Sequence, residues 1–268
     1  MEMKMTDVEL LEFLRKRIGE VGGADALVSA ALAPEHEREK GWRDFPVFSP
    51  PSLETQLDLI RSAFPGPDLS YNAEALEDIV NRMPHSAGLF LVPNRFNHLG
   101  RRIISDDFER SIALIGQKVY DIHRGHVRID LSGAHRVVSR TEMALMFTAI
   151  MQGMPPLLVL PIQLENYHGF SVNAAQRRIS IHPGEAALPL LEGLCVAFVF
   201  PERFIAGHKK SSSSDRMGVV CAGDSRSGEN DATYFPVICG EYVPKIDIRE
   251  ISWTGHCLND SSVASFFI

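Results

Sequence analysis

The chain has 268 residues, of which 45% are hydrophobic and 23% are charged, and its formal net charge at pH 7 is −7. A chain of this length buries roughly 70% of its unfolded surface, so we expect a substantial core. The acidic balance and the dispersed basic residues argue against general nucleic-acid binding. No apolar run approaches the roughly 18 residues that cross a bilayer, so no membrane partner is expected.

The first third of the chain is predicted to be helical. Thr6 and Glu9 have capping-box spacing at the start of VELLEFLRKRI. Leu11, Leu14 and Ile18 then form one apolar face at helical spacing. These first residues lack the apolar core of a signal peptide.

Two further segments, 52–64 and 72–83, repeat the helical pattern, and each is followed by a proline. We therefore predict a helical N-terminal region over 1–86. Residues 87–268 are predicted to form an α+β sheet domain that packs with it as one globular unit.

An aromatic and proline-rich segment, GWRDFPVFSPP, covers residues 41–51. Trp42, Phe45 and Phe48 make it a candidate binding segment that docks onto a partner. The alternative is that these aromatic side chains pack back on the body of the protein.

The best-specified helix is predicted over about 139–152. Ser139 and Glu142 have capping-box spacing, and Gly153 is placed to end the helix. The body of the helix, MALMFTAIM, is apolar on nearly every side, so we expect it to be buried.

Most of the chain after residue 153 is predicted to form strands, in addition to an apolar strand at 87–93. The predicted strands are PLLVLPIQL (156–164), GFSV (169–172), RISIH (178–182), CVAFVF (195–200), MGVVCAG (217–223), YFPVICG (234–240), KIDIREI (245–251) and SVASFFI (262–268). Their short connections favour antiparallel pairing. The predicted fold class is therefore α+β, with a helical N-terminal third and a mainly antiparallel mixed sheet packed against the buried helix.

The stretch YDIHRGHVRID (120–130) has the pattern of a β-hairpin. A two-residue turn at Arg124-Gly125 would place His123 opposite His126, with their Cβ atoms about 5 Å apart. Asp121 would lie on the same face and could complete a three-ligand metal site. The alternative, which we favour, is a solvated polar face without a ligand.

The stretch MGVVCAGDSRSG (217–228) places Ser225 directly after an apolar strand and a Gly-Asp pair. This block resembles the first block of the GDS-type serine esterases, which implies Ser225 as a nucleophile with Asp224 beside it. In that family a downstream Asp-x-x-His supplies the base. Here the nearest substitute lies upstream and ends at His168, so the resemblance implies a permuted arrangement. The alternative is a turn between two strands.

The four cysteines lie in the last third without any C-x-x-C spacing, at Cys195, Cys221, Cys239 and Cys257. This pattern indicates neither a disulfide framework nor a zinc knuckle, and we expect a reducing, cytoplasmic setting.

Three functional interpretations follow from the sequence. The first is a non-catalytic binding protein that needs no cofactor and binds another protein or a second copy of itself. The second is a serine hydrolase that uses Ser225. The third is a metal-dependent activity at the predicted 121–130 hairpin.

Overall fold

The computed structural model describes residues 49–104, 108–123, 126–131, 135–164, 167, 170–205, 218–227, 233–240, 245–252 and 261–268. In these residues the chain is an α+β protein, as predicted. Its helices are α1 (Leu53–Ala63), α2 (Leu76–Arg82), α3 (Phe108–His123), α4 (Ser139–Met151), α5 (Val172–Ile181), α6 (Leu190–Val199) and α7 (Glu202–Ile205). Its strands are β1 (Gly88–Pro93), β2 (His126–Asp130), β3 (Arg136–Val137), β4 (Leu157–Gln163), β5 (Glu185–Ala187), β6 (Gly218–Val220), β7 (Asp224–Ser227), β8 (Thr233–Gly240), β9 (Lys245–Ser252), β10 (Ser261–Val263) and β11 (Ser265–Phe267).

The first sheet has the strand order β1-β4-β11-β5 and is antiparallel throughout. All seven residues of β4 are buried, because the strand lies in the interior of the sheet with helices packed around it. The predictions of strands at 87–93 and 156–164 are confirmed.

Two buried glutamines complete the hydrogen bonding of β1 and β4. Gln56 on α1 donates from Nε2 to the carbonyl of Leu89 at 2.9 Å and accepts from the N–H of Leu91 at 2.9 Å. Gln152, just after α4, donates to the carbonyl of Val159 at 2.7 Å and accepts from its N–H at 2.9 Å. Leu91 and Val159 face each other across β1 and β4, so the two side-chain amides flank a single rung of the ladder. Each amide takes the place of a missing neighbouring strand.

The second sheet is mixed and is organised around β8. One edge of β8 pairs with β9, which in turn pairs in parallel with β2. The other edge pairs first with β7 and then with β6, which lie end to end with residues 221–223 between them. β10 pairs in parallel with β6, and β3 pairs with β7.

The two sheets are joined by the last strands and by α6. The chain passes from β10 in the second sheet to β11 in the first through Ala264, whose N–H donates to the carbonyl of Val220 at 3.1 Å. All ten residues of α6 are buried, and the helix contacts both β1 and β8. Residues of α1, β1, β4 and α6 share one apolar core.

The helix predicted over 139–152 is present as α4, but it is not buried on every side. Its inner face carries buried Ala144, Leu145 and Ala149. Its outer face exposes Met143 and Met146, so the expectation of all-round burial is wrong. The reason is that the described part of the structure packs against only one side of this helix.

The predicted hairpin at 121–130 is also wrong. α3 continues to His123, and β2 begins at His126 and pairs in parallel with β9. Residues 124–125 therefore join a helix to a strand. Buried Ile112, Ile115 and Val119 are spaced three and four residues apart, which is the helical pattern that extends into this stretch.

Three predicted strands are wrong. Of the strand predicted at 169–172, Phe170 and Ser171 are not in a strand and Val172 begins α5, whose cap Ser171 accepts a hydrogen bond from the N–H of Ala174. Most of the strand predicted at 178–182 is the end of α5. The predicted strand at 195–200 is the second half of α6. A helix that is buried on all sides has no apolar periodicity, so sequence alone does not distinguish it from a central strand.

Among the helices of the described ranges, none combines the length and the apolar character that crossing a membrane requires.

Replacing Gln56 with Met removes the side-chain amide while keeping a similar volume. The N–H of Leu91 and the carbonyl of Leu89 then lose their partners, and we expect the free energy of unfolding to fall by about 2–4 kcal/mol. Gln117→Met makes the same change at an exposed position of α3 and should cost less than about 0.5 kcal/mol. Urea denaturation followed by circular dichroism measures both losses, and equal losses would contradict the role given to Gln56.

Candidate functional site

The residues before α6 and the start of β7 meet at a tightly packed junction. The N–H of Gly223 donates to the carbonyl of Leu188 at 3.0 Å, and the carbonyl of Gly223 accepts from the N–H of Val138 at 2.8 Å. A Cβ atom at position 223 would lie 2.5 Å from the carbonyl oxygen of Ala187. Only glycine permits this approach, so the Gly of the Gly-Asp-Ser block is required by backbone packing.

Asp224 is fully buried at this junction and lies at the N-terminus of α6. Its Oδ2 accepts a hydrogen bond from the N–H of Leu190 at 2.6 Å, in the manner of a helix cap. Its Oδ1 accepts no hydrogen bond from the residues that the structure describes. Burial raises the pKa of the Asp224 carboxyl to about 7, although the bond from Leu190 acts in the opposite direction.

A buried ion pair lies close to Asp224. Nη2 of Arg95, in the loop after β1, donates to Oε1 of Glu192 on α6 at 2.5 Å. The side chain of Glu192 is 2% exposed and that of Arg95 is 18% exposed. Burial by itself would lower the pKa of Arg95, but the charge and the hydrogen bond of Glu192 raise it.

Asp224, Glu192 and Arg95 form what we call the acidic junction, with two carboxyl groups for one guanidinium. The Glu192 charge adds to the rise in the pKa of Asp224, and Arg95 only partly offsets it. Burying two charged carboxylates beside a single cation costs free energy, because one negative charge stays uncompensated. Protonation of one carboxylate lowers that cost. The acidic junction can therefore take up and release a proton near neutral pH.

A second polar network lies along β7. Arg226 donates from Nε to Oε1 of Glu250 at 3.0 Å and from Nη2 to Oε2 of the same carboxylate. Nε2 of His135 lies 3.5 Å from Oε1 of Glu250, and its side chain is fully buried. The guanidinium of Arg226 also stacks 4.3 Å from the ring centre of Tyr234. These contacts link β7 through Arg226 to Tyr234 on β8 and to Glu250 on β9.

Ser225, the predicted nucleophile, lies within β7 and is partly exposed. Successive side chains of a strand point to opposite faces, so Ser225 lies on the face opposite Asp224 and Arg226. Its backbone pairs with Arg136, which places His135 on the Arg226 side of the sheet. In the part of the chain that the structure describes, no imidazole forms a hydrogen bond with Ser225. His168 lies outside the described residues, so the esterase interpretation stays a prediction.

The structure separates the predicted metal ligands into two elements. Asp121 is exposed on α3 and accepts a hydrogen bond from Nε2 of Gln117 at 2.7 Å. His123 ends α3, whereas His126 begins β2. The side chains of the two histidines are outside the described part of the structure. Within the part that is described, no group of three or more His, Cys, Asp or Glu residues is arranged to hold a metal ion.

Trp42, Phe45 and Phe48, the predicted binding segment, lie outside the described residues. Cys257 does so as well.

Among the described cysteines, Cys195 and Cys221 have free thiols, and both side chains are buried, as is that of Cys239. Burial raises the pKa of Cys195 and of Cys221 well above the usual value for a thiol. These two thiols therefore stay protonated and act as small apolar side chains.

The largest group of exposed apolar side chains among the described residues was not predicted from the sequence. Along α4 and just beyond it, five large apolar side chains are between 37% and 48% exposed, and we call them the α4 surface: Met143, Met146, Ile150, Met151 and Met154. On a helix, residues 143, 146 and 150 lie on one face. The sequence signal was present in MALMFTAIM, but its apolar character was attributed to the core.

The α4 surface continues into a groove between α2 and α4 with a cavity volume of about 600 Å³. Ile79 and Met83 line it from the α2 side, and Ile150 and Met151 line it from the α4 side. The remaining apolar part of the lining comes from Ala75, Val159, Pro161, Phe267 and Ile268.

Comparisons with models of known protein families, with curated proteins and with solved structures find no match for this chain. The fold and the site therefore define it only as an α+β protein with a buried acidic junction and an exposed apolar surface on α4.

The acidic junction makes stability depend on pH. The pKa of Asp224 rises from 3.8 to about 7 on folding, so its contribution to stability is fully present below pH 4 and is lost as the pH rises through 7. Asp224→Asn keeps an acceptor for the N–H of Leu190 but does not titrate. We expect the free energy of unfolding of the wild type to fall by an amount on the order of 3 kcal/mol between pH 4.5 and 8 because of this group. Asp224→Asn should not show that fall and should be more stable than the wild type at pH 8.

The measurement is the free energy of unfolding in urea at several pH values. Asp78→Asn is the matched control, because the Asp78 side chain is 81% exposed. A decline with pH that is as steep in Asp224→Asn as in the wild type would contradict the assignment.

Proposed function

We propose that the protein is a non-catalytic binding protein, and that it binds its protein partner through the α4 surface and the adjoining groove. The observation that carries this proposal is the exposure of Met143, Met146, Ile150 and Met151 on the outer face of one helix. Contiguous exposed apolar side chains cost solubility and typically mark an interaction site. Methionine side chains are flexible and polarisable, which suits a surface that adapts to a partner.

The shape of the groove supports a helical partner. Residues of α2 line it on one side and residues of α4 on the other, and Phe267 and Ile268 also contribute to the lining. Grooves of this kind bind amphipathic helices whose apolar side chains recur every three or four residues.

The charge of the groove supports a protein partner over a nucleic acid. Glu74 and Asp78 line it together with one basic residue, Arg82. Oε and Oδ atoms at the rim repel phosphates, and the net charge of the whole chain is −7. A partner with basic residues beside its apolar face fits this rim.

We further propose that the protein works in a reducing compartment such as the cytoplasm. The free thiols of the buried residues Cys195 and Cys221 support this proposal, because oxidising compartments favour disulfides.

The proposal predicts that a charge within the α4 surface abolishes partner binding. Met146 is 45% exposed, so Met146→Glu should leave the fold intact while placing a carboxylate in the interface. We expect the dissociation constant for a purified partner to rise at least about tenfold, which is the loss of one central contact. Leu114→Glu is the matched control, since Leu114 is 37% exposed on α3.

The measurement begins with quantitative affinity capture from cells that express the protein. The captured partner is then purified, and its binding to the wild type, Met146→Glu and Leu114→Glu is measured by calorimetry. Light scattering tests for a second copy as the partner. The proposal is wrong if the wild type is a monomer without a partner, or if Met146→Glu binds as tightly as Leu114→Glu.

A further inference from the structure

We infer that Asp224 is a pH-sensitive latch for the start of α4: ionisation of its buried carboxyl group favours release of β3, and of the residue that precedes α4, from β7. This device belongs to the fold itself and is independent of the proposed function. Its basis is the set of bonds around Asp224, the charges that face it, and the unequal burial of the elements that cover it.

Asp224 lies between α6 and the strand that leads into α4. Its Oδ2 accepts the N–H of Leu190 at 2.6 Å, at the start of α6. Its backbone pairs with Val137 of β3. The carbonyl of the preceding residue, Gly223, accepts the N–H of Val138 at 2.8 Å, and α4 begins at the next residue. The bonds that hold the start of α4 therefore adjoin a buried carboxyl group.

The groups that face Asp224 from α6, α4 and the loop after β1 do not compensate its negative charge. Glu192 and Arg95 bind each other, so the guanidinium already has a carboxylate partner. Glu142 on α4 adds a further negative charge near Arg95. Burial keeps the thiol of Cys221 protonated, because it raises the pKa of that group well above the usual value. Among the described residues, an ionised Asp224 is thus a buried charge in excess.

The basic side chains on the β3 side do not change this balance. Along the same face of β7, Arg226 donates to both carboxylate oxygens of Glu250. His135, which precedes β3, lies 3.5 Å from the same carboxylate. Arg136 of β3 is exposed and pairs with Ser225, so its side chain lies on the face of the sheet opposite that of Asp224.

β3 is the covering element that can open with the least loss of burial. A buried charge in excess favours an opening that lets water reach it. All ten residues of α6 are buried, so movement on that side would expose a large apolar area. β3 has only two residues, an exposed Arg136 and a half-buried Val137, and Val138 after it is half-buried too. Opening there frees the start of α4, while its far end stays bound through Gln152.

The direction of the pH dependence follows from the proton that opening releases. In the closed form burial raises the pKa of Asp224 to about 7, whereas a hydrated carboxyl group has its usual value of 3.8. Between these two values opening releases one proton, so the population of the open form rises about tenfold per pH unit. Above about pH 7 the carboxyl group is ionised in both forms, and the population becomes constant.

The test is amide hydrogen exchange in the full-length protein, measured by NMR between pH 5 and pH 8. The N–H of Val138 reports on release of the start of α4. The N–H of Gly223, bonded to the carbonyl of Leu188, reports on movement at the α6 side. The N–H of Ala264 joins the two sheets and reports on their separation. Dividing the exchange rate of an unstructured peptide at the same pH by each measured rate gives a protection factor.

We expect the protection factor of Val138 to be at least about tenfold lower than that of Ala264, to fall about tenfold per pH unit below pH 7, and to level off above it. Gly223 should be as strongly protected as Ala264. In Asp224→Asn, which keeps an acceptor for the N–H of Leu190, the protection factor of Val138 should change less than about twofold over the same range. Asp78→Asn is the matched control and should keep the wild-type profile.

Three results overturn the inference. Equal protection of Val138 and Ala264 means that the start of α4 opens only when the sheets separate. A Val138 protection factor that is independent of pH, or that falls as steeply in Asp224→Asn, means that opening does not involve the Asp224 carboxyl group. Loss of protection at Gly223 together with Val138 places the opening at the α6 side. The wild-type profile alone decides the first and third results, so the latch can be tested even if Asp224→Asn does not fold.

Discussion

The contact between Gly223 and residues 187–189 is the constraint on which the joining of the two sheets depends. It requires the absence of a side chain, since a Cβ atom would lie 2.7 Å from the nitrogen of Pro189. Because the backbones approach this closely, the carbonyl of Gly223 accepts the N–H of Val138, the residue before α4. The carboxylate of Asp224 accepts the N–H of Leu190 in the first turn of α6. The acidic junction is a consequence of the same contact. The close approach places the Asp224 carboxylate at the N-terminus of α6, between the two sheets, where water cannot solvate it.

The same constraint explains why α4 keeps an apolar outer face. One end of the helix is held by the bond from the N–H of Val138 to Gly223, and the other by the bonds between Gln152 and Val159. Within the helix, the hydroxyl of Thr141 donates to the carbonyl of Ala187 at 3.4 Å. Rotating α4 to bury its methionines would break all of these bonds and leave buried polar groups unpaired, which costs more than exposing a few methionines. The exposed surface is therefore a stable property of the fold.

The sequence predicted elements that bury only one face, because such elements show an apolar periodicity. It failed for an element that is buried on every side and for contacts between residues far apart in the chain. Helix α1 was predicted because only one of its faces is apolar. Residues 195–200 were predicted to be a strand because α6, which contains most of them, is buried on every side and shows no apolar periodicity. Residues 120–123 were predicted to be part of a hairpin because a short alternating pattern was favoured over the helical spacing that precedes it. The Gly-Asp block was recognised as special, but its partners were not. Arg95 and Glu192 are 97 positions apart, and no local pattern relates them.

The α4 surface has two parts with different neighbours, which bears on how a partner would bind it. Ile150 and Met151 line the groove, whereas Met143 and Met146 lie one or two turns nearer the start of α4 and outside it. A ligand held by the groove alone would leave Met143 and Met146 exposed to water. The proposed binding surface therefore has to extend beyond the groove, along the outer face of α4.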